Sequence, residues 1–145
     1  MDNRDKIRKA IEMASIAHDG QYDKGGVPYI NHPLHLFSKF HTLECKIVAL
    51  LHDVIEDSFQ YTLGDIEREF GVKIRNAVDA ITKRGGEPYQ IYLDRVKDNE
   101  IARLVKVEDL RHNLDRSRVK TITDHYITRE AKYMKALEFL LEGMV

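Results

Sequence analysis

"ALLHDVIEDS", Ala49 to Ser58, sets a histidine, two aspartates and a glutamate directly behind the apolar run Ile47, Val48, Leu50 and Leu51. An apolar run of that spacing belongs in a core. Ionisable groups carried into the same core are costly unless they are paired, hydrogen-bonded or ligating. His52, Asp53, Glu56 and Asp57 therefore need partners from elsewhere in the chain. The spacing predicts one helix from Glu44 to Glu56. On it, the neighbours His52 and Asp53 point ~100° apart, so both meet one partner only if the wedge between them faces it. Glu56 falls one turn from His52 and Asp57 one turn from Asp53, which gathers the four groups on a face opposite Leu50 and Val54.

Outward from that stretch the periodicity stays helical. Ile7, Ile11, Ala14 and Ala17 make one apolar stripe, stopped by Gly20, and "GQYDKGGVPYIN" reads as a loop. Asn31 or His32 is the expected cap of a short helix with Pro33 in its first turn, running out near His41. Thr62 and Asp65 stand at capping-box spacing before a helix that Gly71 ends. Val72 to Lys83 is amphipathic through Ile74, Val78 and Ile81. Beyond Gly85, Gly86 and Pro88, a short helix runs through Tyr92 and Val96. Asn99 is the expected cap of "EIARLVKVEDLRHNLDRSR", and a last helix from about Arg129 to Leu141 puts Tyr133, Ala136, Leu137 and Leu140 on one side. No stretch has a period of two. The expectation is an all-α single domain over residues 1–145, a bundle of about seven or eight helices with no linker.

Composition narrows the function. With 145 residues, 43% of them hydrophobic, the chain can bury a core. Lys plus Arg (23) nearly balance Asp plus Glu (24), a net charge of -1. That argues against a nucleic-acid partner gripped by a broad basic surface, and leaves room for a local basic pocket. Cys45 is the only cysteine, which suits a reducing cytosol. "MDNRDKIRKA" lacks the apolar core of a signal peptide, and "IVALL" is far short of the ~20 residues that span a bilayer. A cytoplasmic protein with no membrane partner is expected, and nothing in the pattern indicates an oligomeric state.

Two residues do not hold a catalytic metal; three or four are usual. His32, in "PYINHPL", and Asp109, in "VKVEDLRHN", are further candidates, and Lys106, Asp109 and Asn113 share one helical face. Two imidazoles and two carboxylates suit Mn²⁺, Fe²⁺ or Zn²⁺ better than Ca²⁺. A divalent ion acidifies a water and offsets phosphoryl charge, so that a nearby carboxylate can take the proton. No Ser-His or Cys-His arrangement offers a covalent nucleophile. Lys24, in its glycine-flanked loop, could meet a phosphate as a flexible point charge.

The order His32, His52-Asp53, Asp109 resembles the H…HD…D pattern of the HD-domain metal-dependent phosphohydrolases. "AHDGQYDKGGVPYINHP", "ALLHDVIED" and "VKVEDLRHN", in that order, resemble the hydrolase domain of the RelA/SpoT alarmone enzymes and their small free-standing relatives. The resemblance implies a helical bundle that uses Mn²⁺ to remove the 3′-pyrophosphate of (p)ppGpp, giving pyrophosphate and GDP or GTP. It implies His32, His52, Asp53 and Asp109 as metal ligands and Glu56 and Asp57 as the pair that positions and activates water. Lys24 and Asn113 become contacts to a small nucleotide substrate. No part of the match covers the synthetase domain of longer relatives, so pyrophosphate transfer from ATP is not expected of these residues.

The match departs at Asp23, where the alarmone hydrolases commonly have an arginine that packs on guanine. An acid makes no cation–π contact and would repel phosphates. Tyr22 and Tyr29 are the available stacking groups, Arg116 and Arg118 stand where those enzymes usually have other residues, and Tyr29 and Arg116 are expected as substrate contacts beside Lys24 and Asn113. Two alternatives stay open. One is an HD-type phosphohydrolase acting on another nucleotide or phosphoester. The other is a non-catalytic module binding a nucleotide or metal, which would have no need of the Glu56-Asp57 pair. Among the remaining histidines, His18 is expected to complement the end of the first helix. His35, His41 and His125 are expected at the surface, and His112 as either a support for a ligand or a packed helix residue.

Overall fold

The computed structural model describes residues 1–144, and the helices form where apolar spacing and caps coincide. α1 (Asn3–Ala17) opens on Asp2, whose carboxylate accepts from the Asp5 N–H while Asp5 reaches back to the Asp2 N–H. Two otherwise unpaired donors are thereby satisfied. After α2 (Asn31–Phe37), α3 (Leu43–Leu51) and α4 (Val54–Asp57), Thr62 and Asp65 form the same box at the start of α5 (Leu63–Phe70). α6 (Val72–Ile81), α7 (Tyr89–Asp98), α8 (Glu100–Asn113) and α9 (Asp124–Leu141) follow, with a 3₁₀ turn at Arg116–Arg118. Asn99 caps α8 as expected, its side chain accepting from Ala102 N at 2.9 Å.

α3 is the axis of the fold. Ile47, Val48, Ala49, Leu50 and Leu51 are all fully buried, and the helix packs against α1, α2, α6 and α8. The second half of α3, Ile47 to Leu51, is apolar on every side and has to be enclosed. Each buried Leu or Ile contributes roughly 1.5–3 kcal/mol, so the end of α3 is firmly placed. Whatever side chains follow Leu51 are held by that anchor.

Three boundaries differ from expectation, each for a local reason. The helix expected from Glu44 to Glu56 is two, broken at His52 and Asp53, where Asp53 adopts φ -109° and ψ 0°. The His52 ring reaches back to the Ala49 carbonyl at 2.7 Å, the acceptor a continuous helix would offer to the Asp53 N–H. α2 has no side-chain cap from Asn31 or His32; the turn carbonyls of Pro28, Tyr29 and Ile30 take the N–H groups of Asn31, His32 and Leu34. α9 begins earlier than Arg129, at Asp124, because Thr123 caps it and Tyr126 is already buried. Among the described residues no helix is long and apolar enough to cross a membrane.

Candidate functional site

His32 from the start of α2, His52 and Asp53 from the α3–α4 break, and Asp109 from α8 converge. One donor atom from each lies within 4.8 Å of the others. His32 Nε2 is 2.7 Å from Asp109 Oδ1, and His52 Nε2 is 3.0 Å from Asp53 Oδ2 and 3.4 Å from Asp109 Oδ1. The break in the helix solves the problem of neighbouring ligands, since it brings His52 and Asp53 onto a common point. His52 Nε2 is buried and makes no aligned hydrogen bond despite those two carboxylates. A buried nitrogen left in that condition beside oxygen ligands is what a cation site requires. The residues present fit a divalent ion.

The charges tell the same story. Burial alone would depress the His52 imidazole, yet the charge of Asp53, with Asp109 beside it, outweighs burial and holds its pKa well above 6.5. Burial would likewise raise Asp109, but the Lys106 ammonium, then the hydrogen bond from His32 and the nearby His52 ring, pull it well below the usual carboxylate range. Lys106 Nζ donates to Asp109 Oδ2 at 2.8 Å and Asn113 Nδ2 to Oδ1 at 3.2 Å. Lys106, Asp109 and Asn113 thus do share a face, as their spacing predicts.

Glu56 and Asp57 occupy α4. Glu56 Oε1 accepts from Lys83 N at 3.0 Å. Burial, then the charge of Asp53, raises both carboxyls, Asp57 to about 7. Gln21 pins this turn: its amide donates to the Asp57 carbonyl at 3.0 Å and to Ala17 O at 3.1 Å, tying α4 to the end of α1. Its Oε1 is left to accept from His18 Nδ1 at 2.9 Å. His18 stands at the C-terminal end of α1, where the sequence places it; it is buried there, and burial lowers its pKa.

A cleft of about 270 Å³ adjoins the cluster, bounded by Tyr22, Lys24 and Tyr29 on one side, Asn113 and Arg118 on another, and Tyr126, Arg129 and Tyr133 of α9. Tyr29 and Asn113 touch both cleft and cluster. Arg129 lies over the rings of Tyr126 and Tyr133, 5.9 and 5.7 Å from their centroids. Burial, and then the charge of Arg129, lowers the pKa of Lys24. The cleft is aromatic, and its cations Lys24, Arg118 and Arg129 outnumber its acids Asp23 and Asp115 by one. A larger cavity, about 410 Å³ beside Cys45 and Lys73, does not border the cluster.

Two expected substrate contacts are placed otherwise. Arg116 turns away and pairs with Glu130 through two bonds of 2.7 Å, because a tight 3₁₀ turn puts residues two apart on different sides. Arg118 takes the cleft position: its Nη1 donates to His112 O at 3.0 Å and Asn113 Oδ1 at 3.1 Å. Tyr29, expected as a stacking group, lies between the rings of His18 and His32 and donates its hydroxyl to Asp53 Oδ2. Asp23 does not point bare charge at the cleft. Its Oδ1 accepts from Gly25 N at 2.9 Å and Val27 N at 3.0 Å, and its Oδ2 lies 3.5 Å from Arg118 Nη2. A side chain on Gly25 would meet the Arg118 carbonyl at 2.1 Å, so that glycine lets loop and turn close on one another. Tyr126 and Arg129 were not expected at the site, yet with Tyr133 they stand at three- and four-residue steps on one face of α9, the sequence signal that marks them.

A model of the HD domain matches residues 10–122, which contain the whole cluster. The chain belongs to the HD-domain family. Among curated relatives of this HD protein, a GTP pyrophosphokinase of Streptomyces coelicolor is 33% identical over 93% of the chain and 16% of its own length. A guanosine-3′,5′-bis(diphosphate) 3′-pyrophosphohydrolase of Aquifex aeolicus is 32% identical over 95% of the chain and 20% of its own length. A Haemophilus influenzae protein of that same name is 41% identical over 49% of the chain and 11% of its own. The HD protein thus spans a fifth or less of the length of these relatives. A solved structure described as a metazoan ortholog of SpoT that hydrolyzes ppGpp shares the fold, with a TM-score of 0.78 and 22% identity over 95% of this chain and 86% of that one.

Proposed function

We propose that this HD-domain protein is a metal-dependent phosphohydrolase that cleaves guanosine 3′,5′-bis(diphosphate) to GDP and pyrophosphate. The observation that carries the reading is the meeting of His32, His52, Asp53 and Asp109 beside an aromatic cleft whose cations outnumber its acids by one. The names borne by the relatives support the substrate. Mn²⁺ suits the two-imidazole, two-carboxylate set, with Fe²⁺ and Zn²⁺ as alternatives. When bound, the ion supplies positive charge against the phosphoryl oxygens and acidifies water. Asp57 and Glu56 take the proton as water adds to the 3′-phosphorus, and the proton gained by the departing 3′-oxygen balances it. Asn113, fixed by Arg118 and Asp109, keeps one amide N–H for the nucleotide. Lys24 and Arg118, with Arg129, offset the charge of the 5′-diphosphate, and the exposed Tyr22 offers a face to the base. The setting is the cytoplasm, with no nucleic acid or membrane as partner.

The test is turnover by Mn²⁺-loaded protein of ppGpp, GTP, deoxynucleotides and a generic aryl phosphate, beside Asp53→Ala. Hydrolysis of ppGpp alone, lost in the variant, is the expected result. Turnover of other nucleotides with ppGpp untouched would move the assignment to the second reading, which the acid Asp23 in the cleft lining favours. A metal-bound protein inert to the whole panel is the result a binding module would give.

The charge arrangement makes metal binding pH-dependent. His52 has a raised pKa and holds its proton through the neutral range, while ligation needs the neutral ring. Mn²⁺ is therefore expected to displace a proton, its affinity rising up to about tenfold per pH unit below the pKa of the ring. Calorimetry in buffers of different ionisation heat reads the released proton directly; a pH-independent affinity would contradict the assignment of His52.

A further inference from the structure

His112 and His32 approach through the same ring atom, Nδ1 to Nδ1, at 2.6 Å. Their planes differ by 3° and their centroids are 4.9 Å apart. Parallel rings with atoms that close cannot be stacked face to face, since stacked planes stand more than 3 Å apart. The two imidazoles lie edge to edge in nearly one plane, the geometry of an N–H···N hydrogen bond. His35, one turn along α2 from His32, covers the face of His112, with centroids 3.8 Å apart and planes at 13°. Three rings from two helices thus lock together, and only one of them, His32, belongs to the cluster.

Proton accounting fixes who donates. His32 turns Nε2 toward Asp109 and the other ligand atoms, so a cation that displaces the proton shared with Asp109 meets its lone pair there. A neutral His32 ring ligating through Nε2 carries its proton on Nδ1, and that proton needs an acceptor. Backbone carbonyls and carboxylates commonly serve; here the atom in place is His112 Nδ1. We propose that His112 is the positioning residue of the metal centre, accepting the His32 Nδ1 proton and so fixing the tautomer that ligates. The proton of His112 then sits on Nε2. Arg118 braces the same residue by donating to its carbonyl at 3.0 Å, which links the cleft turn to the ligand. This role rests on the metal reading of the cluster.

The test uses Mn²⁺ alone, titrated calorimetrically into wild type, His112→Phe and His112→Asn. Phenylalanine keeps a ring against His35 and removes the acceptor; asparagine places Oδ1 about where Nδ1 was. Loss of such a support typically weakens metal binding ~10–100-fold. That loss is expected for H112F, with H112N within about threefold of wild type, a rescue that lost packing would not produce. Wild-type affinity in H112F, or an equal loss in both variants, overturns the role of His112. A wild-type protein that binds no Mn²⁺ overturns the metal reading beneath it. Should H112F not fold, long-range proton–nitrogen spectra of wild type loaded with diamagnetic Zn²⁺ decide the matter. A proton on His112 Nε2 and none on its Nδ1 is expected, and a proton on His112 Nδ1 overturns the inference.

Discussion

Asp109→Asn is expected to abolish divalent-cation binding and to destabilise the metal-free protein, both by large amounts. Asp109 is 4% exposed and accepts from Lys106, His32 and Asn113. Asparagine keeps the shape and removes the charge. Lys106 then loses the partner that holds its pKa well above 10.5 against burial, and its ammonium is left buried with no compensating charge. Removing one member of a buried pair costs roughly 3–5 kcal/mol. For a chain of 145 residues that is a fall in Tm of about 10–15 °C. The sign with pH follows from the depressed pKa of Asp109: its contribution is complete above the unfolded carboxylate pKa and is lost as pH falls through the folded one. The gap between wild type and variant should therefore close in acid. Lys106→Met placed on top of Asp109→Asn should restore much of the Tm and none of the metal binding. A single variant that unfolds within a degree or two of wild type at neutral pH would sink this account of the site.

Glu56→Gln and Asp57→Asn act on chemistry and spare the metal. A loss of ~10²–10⁴ in kcat is expected for whichever acid takes the proton of water, with Mn²⁺ affinity within a few-fold of wild type. Asp57 is the stronger candidate, since partial desolvation of its carboxyl, with Asp53 and Glu56 nearby, brings it to about 7 in the metal-free protein, although the residue as a whole is exposed. The wild-type rate should rise with pH as Asp57 loses its proton, at a lower pH than in the metal-free protein because a bound divalent ion offsets the charge of Asp53, and Asp57→Asn should flatten that limb. A second readout is independent of turnover. A carboxyl with a raised folded pKa gives its full stability below the unfolded value and loses it as pH rises through the folded one. Metal-free Asp57→Asn should thus match wild type near pH 4 and exceed it at pH 8. Screening at this exposed position limits the gain to about 1 kcal/mol, or roughly 3 °C. A variant with full kcat, or one less stable than wild type at pH 8, would remove Asp57 from the proposed role.

The four ligand candidates were legible because each sits in a local context that constrains it: an apolar run before His52, a Pro-led helix start at His32, a shared helical face at Asp109. Caps were legible for the same reason, as at Thr62 and Asn99, where the bonds span only three residues. The break between α3 and α4 was not. Its cause is a side chain turning back onto the Ala49 carbonyl, which helical periodicity does not register. The choice between Arg116 and Arg118 was equally hidden, since "LDRSR" offers both and only Glu130, fourteen residues on, claims the first.

Sequence alone determined which residues could be ligands and which could be core, because burial pattern and side-chain chemistry are properties of short stretches. Tertiary structure decided which nitrogen, oxygen and charge meet across the bundle. Asp23 paired with Arg118 in the cleft wall, Tyr29 bound to Asp53 rather than free to stack, and His112 edge to edge with His32 all depend on contacts between distant helices and loops. A hydrogen bond is decided within a few tenths of an ångström, and only packing sets positions that finely.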